Sequence, residues 1–417
     1  MLACAVVAAP ARAVASARVW EPLVVKGALL QPLLGKAEAH LEVLAVHNGH
    51  LVPIPFQVDE RLPDGHYALG YGPHPVASDH PGRLGAYDEM ALMVSDLGNR
   101  ADASDGLPKG ALELDVADPL GGRDRYAYIA AVARPVRTSV SYVRYDPATE
   151  SIETDNYRLG LTHEFPTDFA LQTAMGQHHR NLIRGFQMET RARVFMLVPM
   201  HLTEAGVSNQ VLAYKTGPIR IIREQSHRVR LILKLHSPRV TSYEFLSRDE
   251  IDTPFTIYLP WMPSLVFGAI HVRTDMAFRH LSGEQVAWSA PSGGIVRAGT
   301  QAAQSALEPT LSAGRVKWTA FRAQDFLVMQ TFAPTPDLNR LDFRLYYSNA
   351  AGELRIGYRI GGWGSLASGH HTLDPVVLIA PASYSGQTLS RELEIPPLVR
   401  VAPFNPKPLS GQTLSAR

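Results

Sequence analysis

The sequence alternates apolar and polar residues at a period of two along most of its length, which is typical of β-strands with one buried face. The clearest example is residues 41–46, which lead into Asn48-Gly49 and are followed by residues 51–58. An Asn-Gly pair between two such runs predicts a β-hairpin. Helical segments alternating with strands, as an α/β fold requires, are scarce. We therefore predict an all-β fold, with an N-terminal antiparallel β-sandwich followed by a larger antiparallel supersandwich.

Changes in composition divide the 417 residues into units. We expect a signal peptide at residues 1–17, the N-terminal sandwich at 18–150 and the larger sandwich at 151–395. The polar segment around residue 150 suggests the boundary between the two sandwiches. Residues 396–417 are rich in proline, which predicts an extended tail on the surface.

The N-terminal residues predict export to the periplasm or the extracellular space. Residues 2–9 form a short apolar run, and alanines at 11, 13, 15 and 17 provide the small-x-small pattern of a signal peptidase site. Cys4 is the only cysteine, so a chain cleaved near residue 17 would have no disulfide, thiol nucleophile or cysteine-bound zinc. Lipid anchoring at Cys4 is not expected, because an apolar segment upstream of it is missing.

The overall charge disfavours one class of partner. The chain has 40 basic and 39 acidic residues, whereas nucleic-acid-binding proteins usually show a basic excess. No apolar run of the roughly 18 residues needed for a membrane-spanning helix follows the N-terminal segment. We therefore expect neither a nucleic-acid partner nor a transmembrane segment.

Acidic residues cluster in two segments that we predict to be neighbouring strand ends, and the candidate ligands are Asp59, Asp64, Asp88 and Glu89. Oxygen ligands from two adjacent loops are what a calcium ion requires. The sequence thus predicts a calcium site. The alternative is that Asp64-Gly65 forms a turn and the other carboxylates cap strand ends.

A second group of residues predicts a cationic sheet face. We expect a hairpin that turns at residues 224–227 and exposes basic residues on one side. The predicted substrate-binding residues are Arg180, Arg220, Arg230 and Lys234, and the predicted catalytic residues are His179, His236 and Tyr243. Arginines would neutralise a uronate, and histidine or tyrosine would remove the proton α to its carboxyl group, as in a polysaccharide lyase. The alternative is an ordinary solvated sheet face.

Other catalytic signatures are incomplete. The adjacent pair His178-His179 would point to opposite faces of a strand, so it cannot bind one metal ion. The segment at residues 362–365 lacks the second flanking glycine of a nucleophile elbow. The sequence therefore predicts a fold more firmly than an activity.

The run Ile54-Pro55-Phe56-Gln57-Val58-Asp59-Glu60, followed by Asp64-Gly65 and by Tyr87-Asp88-Glu89, resembles a pattern of uncharacterised secreted bacterial β-sandwich proteins. These are distantly similar to supersandwich (galactose-mutarotase-like) proteins and proteins associated with polysaccharide lyases. The resemblance implies the fold and export, and it transfers no catalytic residue.

Two functions are consistent with these features. The first is an exported envelope protein that binds or acts on carbohydrate, with an acidic glycan as the first choice of ligand. The second is a non-catalytic periplasmic or cell-surface subunit that associates with an envelope protein, across which the proline-rich tail could lie.

Overall fold

The computed structural model describes residues 18–162, 165–172, 180–195, 197–230, 240–279, 281, 284–289, 294–298, 315–323, 325–336, 338–350 and 353–405. Strands dominate these residues. The strands are β1 (Pro22–Lys26), β2 (Leu41–His47), β3 (His50–Pro53), β4 (Gln57–Asp59), β5 (Glu89–Met93), β6 (Leu112–Ala117), β7 (Arg125–Ala131), β8 (Val143–Asp146), β9 (Ser151–Thr154), β10 (Tyr157–Thr162), β11 (Phe165–Leu171), β12 (Ile183–Val194), β13 (Val198–Thr203), β14 (Val207–Lys215), β15 (Arg220–Val229), β16 (Val240–Ser247), β17 (Glu250–Asp252), β18 (Phe255–Leu259), β19 (His271–Phe278), β20 (Gln285–Trp288), β21 (Gly294–Arg297), β22 (Trp318–Ala323), β23 (Phe326–Phe332), β24 (Asp342–Ala350), β25 (Glu353–Gly361), β26 (Gly369–Leu373), β27 (Pro375–Pro381) and β28 (Leu398–Pro403).

Helices are short among the described residues. The α-helices are α1 (Pro263–Val266) and α2 (Gly386–Glu394). The 3₁₀ turns are Gly27–Leu29, Gln31–Leu33, Glu38–His40, Val94–Asp96, Ala103–Asp105, Glu204–Gly206, Leu338–Arg340 and Trp363–Ser365. None of the helices in the described part of the chain is long and apolar enough to cross a membrane.

The N-terminal part is a sandwich of two sheets. One sheet has the order β28-β6-β7-β2-β3 and the other has the order β1-β5-β4. Their apolar side chains form one buried cluster, in which Val43 and Ile129 of the first sheet join Val25 and Leu92 of the second. The hairpin predicted at Asn48-Gly49 is confirmed, because β2 pairs with β3 and both turn residues have positive φ, 52° and 76°.

The larger part contains three further sheets. Their orders are β11-β10-β9-β8, β13-β12-β19-β25-β24, and β14-β15-β16-β17-β27-β23-β22-β20-β21 with β18 and β26 attached to the last. The main core lies between them, and the alternation of β25 is typical of how it is built: Leu354, Ile356 and Tyr358 are buried in it, whereas Arg359 is exposed. The predicted all-β fold with antiparallel sheets is confirmed.

Several boundaries differ from the sequence predictions. Residue 150 lies in the turn of the hairpin formed by β8 and β9, so the chain remains within one sheet at the predicted boundary. The prediction of a hairpin turn at residues 224–227 is wrong. These residues lie within β15, which pairs with β14 and β16 along that stretch.

The C-terminal residues return to the N-terminal sandwich. Leu398–Pro403 pairs with Leu112–Ala117 as the edge strand of the first sheet. Before it, Ser385 caps helix α2 by accepting a hydrogen bond from the backbone N–H of Thr388 at 3.1 Å. Leu389 of this helix is fully buried. Since neither the helix nor the strand shows a long periodic pattern, the sequence did not predict them.

Candidate functional site

The acidic segments of the sequence meet a buried arginine from the larger part of the chain. Asp59 is fully buried and Glu89 is 5% exposed. Arg220 Nε donates to Asp59 Oδ2 at 2.9 Å, and Arg220 Nη2 donates to Glu89 Oε2 at 2.8 Å. Gln57 positions the same arginine, because its Oε1 accepts a hydrogen bond from the Arg220 backbone N–H at 3.1 Å. Asp59, Glu89 and Arg220 therefore form a buried ion-pair network that joins the two sandwiches.

The network holds Glu89 in its ionised form. Burial alone would raise the pKa of Glu89, but the charges of Arg220 and Arg61 and the hydroxyl of Tyr67 outweigh it and lower the pKa to about 2. The Tyr67 hydroxyl donates to Glu89 Oε2 at 2.8 Å, and Arg61 Nη1 donates to Oε1 at 2.7 Å. Protein donors thus occupy both oxygens of this carboxylate.

The carboxylates predicted to bind calcium do not form an oxygen cage. Asp88 accepts hydrogen bonds from the backbone N–H groups of Arg61 at 2.9 Å and Gly85 at 2.6 Å. Asp64 accepts from the backbone N–H of His66 at 3.0 Å in an exposed turn. Within the described ranges, no group of three or more His, Cys, Asp or Glu side chains is arranged to hold a metal ion. The calcium prediction is therefore not supported, because protein cations and amides satisfy these oxygens.

The predicted cationic face is not assembled as expected. Arg220 is 6% exposed and paired with Asp59, whereas the sequence prediction required it to be open to solvent. Arg230 is exposed, but it follows the far end of β15, roughly 30 Å away at the rise of a strand. The two arginines cannot bind one sugar together.

The other predicted residues do not complete that site. The Tyr243 hydroxyl lies 3.0 Å from His66 Nδ1 and accepts a hydrogen bond from the Tyr67 backbone N–H at 3.3 Å. Burial raises the pKa of Tyr243, which opposes its use as a base at neutral pH. Arg180 is exposed just before β12. His179, Lys234 and His236 lie outside the described residues.

A different constellation lies on the five-stranded sheet β13-β12-β19-β25-β24. Inward residues of β19 and β25 pack in the main core, so the intervening residues point to the opposite face. On that face Glu189 of β12 lies directly across from Arg273 of β19, and Arg273 lies across from Arg359 of β25. Antiparallel registry thus places a row of charged residues across adjacent strands.

Glu189 is the centre of this face. Its Oε1 accepts a hydrogen bond from Arg191 Nε at 2.6 Å and lies 2.8 Å from His201 Nε2. Its Oε2 lies 3.0 Å from Arg273 Nη1. Burial would raise the pKa of Glu189, but the hydrogen bonds from Arg191 and His201 and the charge of Arg273 lower it. Glu189 is therefore ionised at neutral pH and acts as an acceptor.

A second carboxylate lies beneath the arginines. Asp275 is 2% exposed, and its Oδ2 accepts a hydrogen bond from Arg355 Nε at 2.7 Å. Its Oδ1 lies 3.1 Å from Arg273 Nε, so one guanidinium bridges Asp275 and Glu189. Desolvation raises the pKa of Asp275 against the opposing charge of Arg355. We assign Asp275 a positioning role, because it orients the two arginines.

Tyr346 and Gly357 lie beneath the arginines of this sheet face. The guanidinium carbons of Arg273 and Arg359 lie 4.9 and 5.3 Å from the centre of the Tyr346 ring. Gly357 lies opposite Asp275 in the sheet, and a Cβ at this position would be 2.8 Å from the Asp275 Cβ. Glycine is needed here because the neighbouring strand approaches too closely for a side chain.

Glu189, Arg191, His201 and Arg273 border a pocket of about 290 Å³. Its lining residues are Gln187, Met188, Glu189, Arg191, His201, Thr203, Glu204 and Arg273. The Arg191 and His201 side chains are 71% and 57% exposed, so they are accessible to a ligand. The pocket offers cationic donors beside carboxylate acceptors, a pattern that matches molecules carrying several hydroxyl or carboxyl groups.

Sequence reasoning missed this pocket, although its residues have a visible pattern. Glu189-Thr-Arg191-Ala-Arg193 and Arg273-Thr-Asp275 place charges on alternate positions of two strands. Alternation alone is equally typical of any solvated sheet face. Only the pairing of β12 with β19, whose paired residues Glu189 and Arg273 are 84 positions apart, brings these charges together.

Comparisons with known proteins identify no family. No protein-family model matches the chain, and no curated protein matches it significantly. Among solved structures, an α-mannosidase from Enterococcus faecalis V583 aligns with 89% of this chain and 47% of its own at 10% identity and a TM-score of 0.43. A β-arabinopyranosidase aligns with 58% of this chain and 40% of its own at 10% identity and a TM-score of 0.28. HI1317 aligns with 59% of this chain and 98% of its own at 8% identity and a TM-score of 0.30.

This chain therefore spans about half the length of the mannosidase that it resembles. At these identities and TM-scores the similarities assign neither an activity nor a site.

Proposed function

We propose that this chain is an exported envelope protein that binds carbohydrate in the Glu189 pocket, with a uronate-containing glycan as the first choice of ligand. The observation that carries the proposal is the ionised Glu189 held between Arg191, His201 and Arg273 at 2.5 to 3.0 Å. Export is proposed from the apolar run at residues 2–9 and the single cysteine.

The size and polarity of the pocket support a sugar. A volume of about 290 Å³ is at the small end of ligand sites and suits one or two sugar rings with the rest of a glycan outside. A sugar hydroxyl both donates and accepts, so it can donate to Glu189 while it accepts from Arg191.

The exposed arginines of the face support an acidic sugar. Arg191 and Arg273 line the pocket together with Glu189 and Glu204, so the arginine and carboxylate charges of its lining balance. Arg359 is exposed, and Arg191 has 71% of its side chain open to solvent. A uronate carboxylate could receive paired N–H groups from either guanidinium.

Binding is better supported than β-elimination. A lyase needs a proton acceptor that is free to reach the substrate. Tyr243, one of the three candidates from the sequence, lies against His66 and Tyr67 instead. Oε1 of Glu189 accepts a hydrogen bond from Arg191 and also lies within hydrogen-bond distance of His201. Because this oxygen already has protein partners, its role is better suited to recognition than to proton abstraction.

A thermal-shift panel tests the proposal. The full chain is melted with oligogalacturonate, with a neutral cello-oligosaccharide and without sugar. Because a ligand that binds the native state raises Tm by mass action, we expect an increase with oligogalacturonate. Arg191→Ala should abolish the increase. Arg144→Ala is the matched control, since this arginine of β8 is also exposed, at 75%, and lies on another sheet. An unchanged Tm with both sugars would contradict the proposal.

A further inference from the structure

Two neighbouring loops expose large apolar side chains. The turn between β12 and β13 carries Phe195 and Leu197, which are 67% and 83% exposed. The segment that enters α1 carries Trp261 and Leu265, which are 64% and 69% exposed. Val198 and Met262 are 48% and 43% exposed. We call these six residues the apolar tip.

The two loops form one continuous surface. The Phe195 backbone N–H donates to the Val266 carbonyl at 2.7 Å, and the Gly268 N–H donates to the Arg193 carbonyl at 2.7 Å. A β-bridge joins Val194 to Phe267 between these two bonds. Phe195 has a φ of 48°, a left-handed conformation that is uncommon for a bulky residue. The backbone is thus held in an unfavourable conformation at a position whose side chain faces solvent.

The segments that form the tip contain no charged side chain. Residues 253–270 contain no Asp, Glu, Lys, Arg or His, and neither do residues 194–200. The nearest charged residues on β12 are Arg191 and Arg193, both exposed. Arg193 has no carboxylate within ion-pair distance among the residues that the structure describes. The tip is therefore an uncharged apolar surface with the exposed Arg193 at its edge.

We propose that the apolar tip docks onto an anionic lipid surface. Soluble proteins rarely leave large apolar patches open, so this one requires an occupant. An indole, a phenyl ring and several aliphatic side chains suit the boundary between headgroups and acyl chains, where aromatic residues concentrate. Arg193, which lies at the edge of the tip, complements the negative charge of the headgroups. An apolar partner alone would not explain an exposed arginine at this edge.

Docking would also orient the Glu189 pocket. Arg191 lines the pocket and lies four residues before Phe195, which directly follows β12, roughly 13 Å at the rise of a strand. The pocket would therefore lie beside the lipid surface. The docking proposal does not depend on what the pocket binds.

Vesicle sedimentation tests the proposal. The full chain is mixed with vesicles of phosphatidylcholine alone or with added phosphatidylglycerol. We expect binding to the anionic vesicles that weakens as salt is raised, and a blue shift of the Trp261 emission that Trp261→Phe removes. Leu197→Ser/Leu265→Ser should reduce binding about tenfold or more. Leu29→Ser/Leu398→Ser is the matched control, because these leucines are also exposed, at 49% and 54%.

Three outcomes would overturn the proposal. The wild-type chain could remain in the supernatant with anionic vesicles, or the tip variant could sediment as the wild type does. Alternatively, the wild-type chain could be a dimer that the tip variant converts to a monomer without any binding to vesicles. That result would assign the tip to a second copy of this chain. Equal Tm values for the variants and the wild type verify that the exposed substitutions preserve the fold.

Discussion

Arg220 Nε donates to Asp59 Oδ2 at 2.9 Å, which links β15 to β4 across 161 residues of sequence. Both side chains are buried, at 6% and 0% exposure. The same guanidinium pairs with Glu89 at 2.8 Å. Because two buried carboxylates of the N-terminal sandwich share this cation, the contact holds that sandwich against the larger part of the protein.

Arg220→Ala should be strongly destabilising. The substitution leaves Asp59 and Glu89 buried with less compensating charge, and the loss of one partner of a buried pair costs about 3–5 kcal/mol. Chemical denaturation of the variant and the wild type measures the change in the free energy of unfolding. Arg144→Ala, at an exposed position, should change it by less than about 0.5 kcal/mol. A similarly small change for Arg220→Ala would contradict the structural role of the network.

Glu21→Gln should change the pH dependence of stability. Burial, together with the charges of Glu392 and Asp118, raises the pKa of Glu21 from 4.5 to about 7 despite its ion pair with Arg18. A raised pKa means that the folded state binds the proton more tightly. The stability that protonated Glu21 contributes is therefore fully present below about pH 4.5 and is lost as the pH rises through about 7.

The variant lacks this titration. As the pH rises from about 4.5 to about 7, the free energy of unfolding of the variant minus that of the wild type should therefore increase by up to about 3 kcal/mol. Urea unfolding at a series of pH values measures the difference. Glu153→Gln, at a partly exposed position, controls for the change from carboxylate to amide. A difference between Glu21→Gln and the wild type that stays constant with pH would contradict the assignment.

Gly357→Ala should destabilise the sheet that carries the Glu189 pocket. The added methyl group would lie 2.6 Å from the Asp275 Cα and 2.8 Å from its Cβ, so β19 and β25 would have to separate. Overpacking of this kind costs about 1–3 kcal/mol. Denaturation measures it, and Gly70→Ala is the control because that position has open space around it. If both substitutions had the same small effect, the close approach of the strands at Gly357 would be refuted.

The parts of the fold that the sequence predicted depend on local chemistry. Period-two alternation predicted the strands, and the need for positive φ at Asn48 and Gly49 predicted their turn. The sequence pattern did not predict helix α2, because the helix is only nine residues long. Its start is the hexapeptide at residues 385–390, which recurs at 410–415, outside the described residues. In the first copy Ser385 is the helix cap.

The candidate site depends on pairings that no local pattern specifies. Arg220 looked like an exposed cation because its partners Asp59 and Glu89 are distant in sequence. Glu189 and Arg273 looked like unrelated surface charges for the same reason. In an antiparallel protein the register between distant strands is set by core packing, so residues that recognise each other across strands become visible only in the structure.

The most direct test of the central claim is a calorimetric titration of the full chain with oligogalacturonate. The account predicts saturable binding to the wild type, a loss of about tenfold or more in affinity for Arg191→Ala, and wild-type affinity for Arg144→Ala. Equal affinity of Arg191→Ala and the wild type would place the ligand elsewhere. The absence of binding by the wild type, both to oligogalacturonate and to the neutral sugar, would contradict a carbohydrate site in the Glu189 pocket.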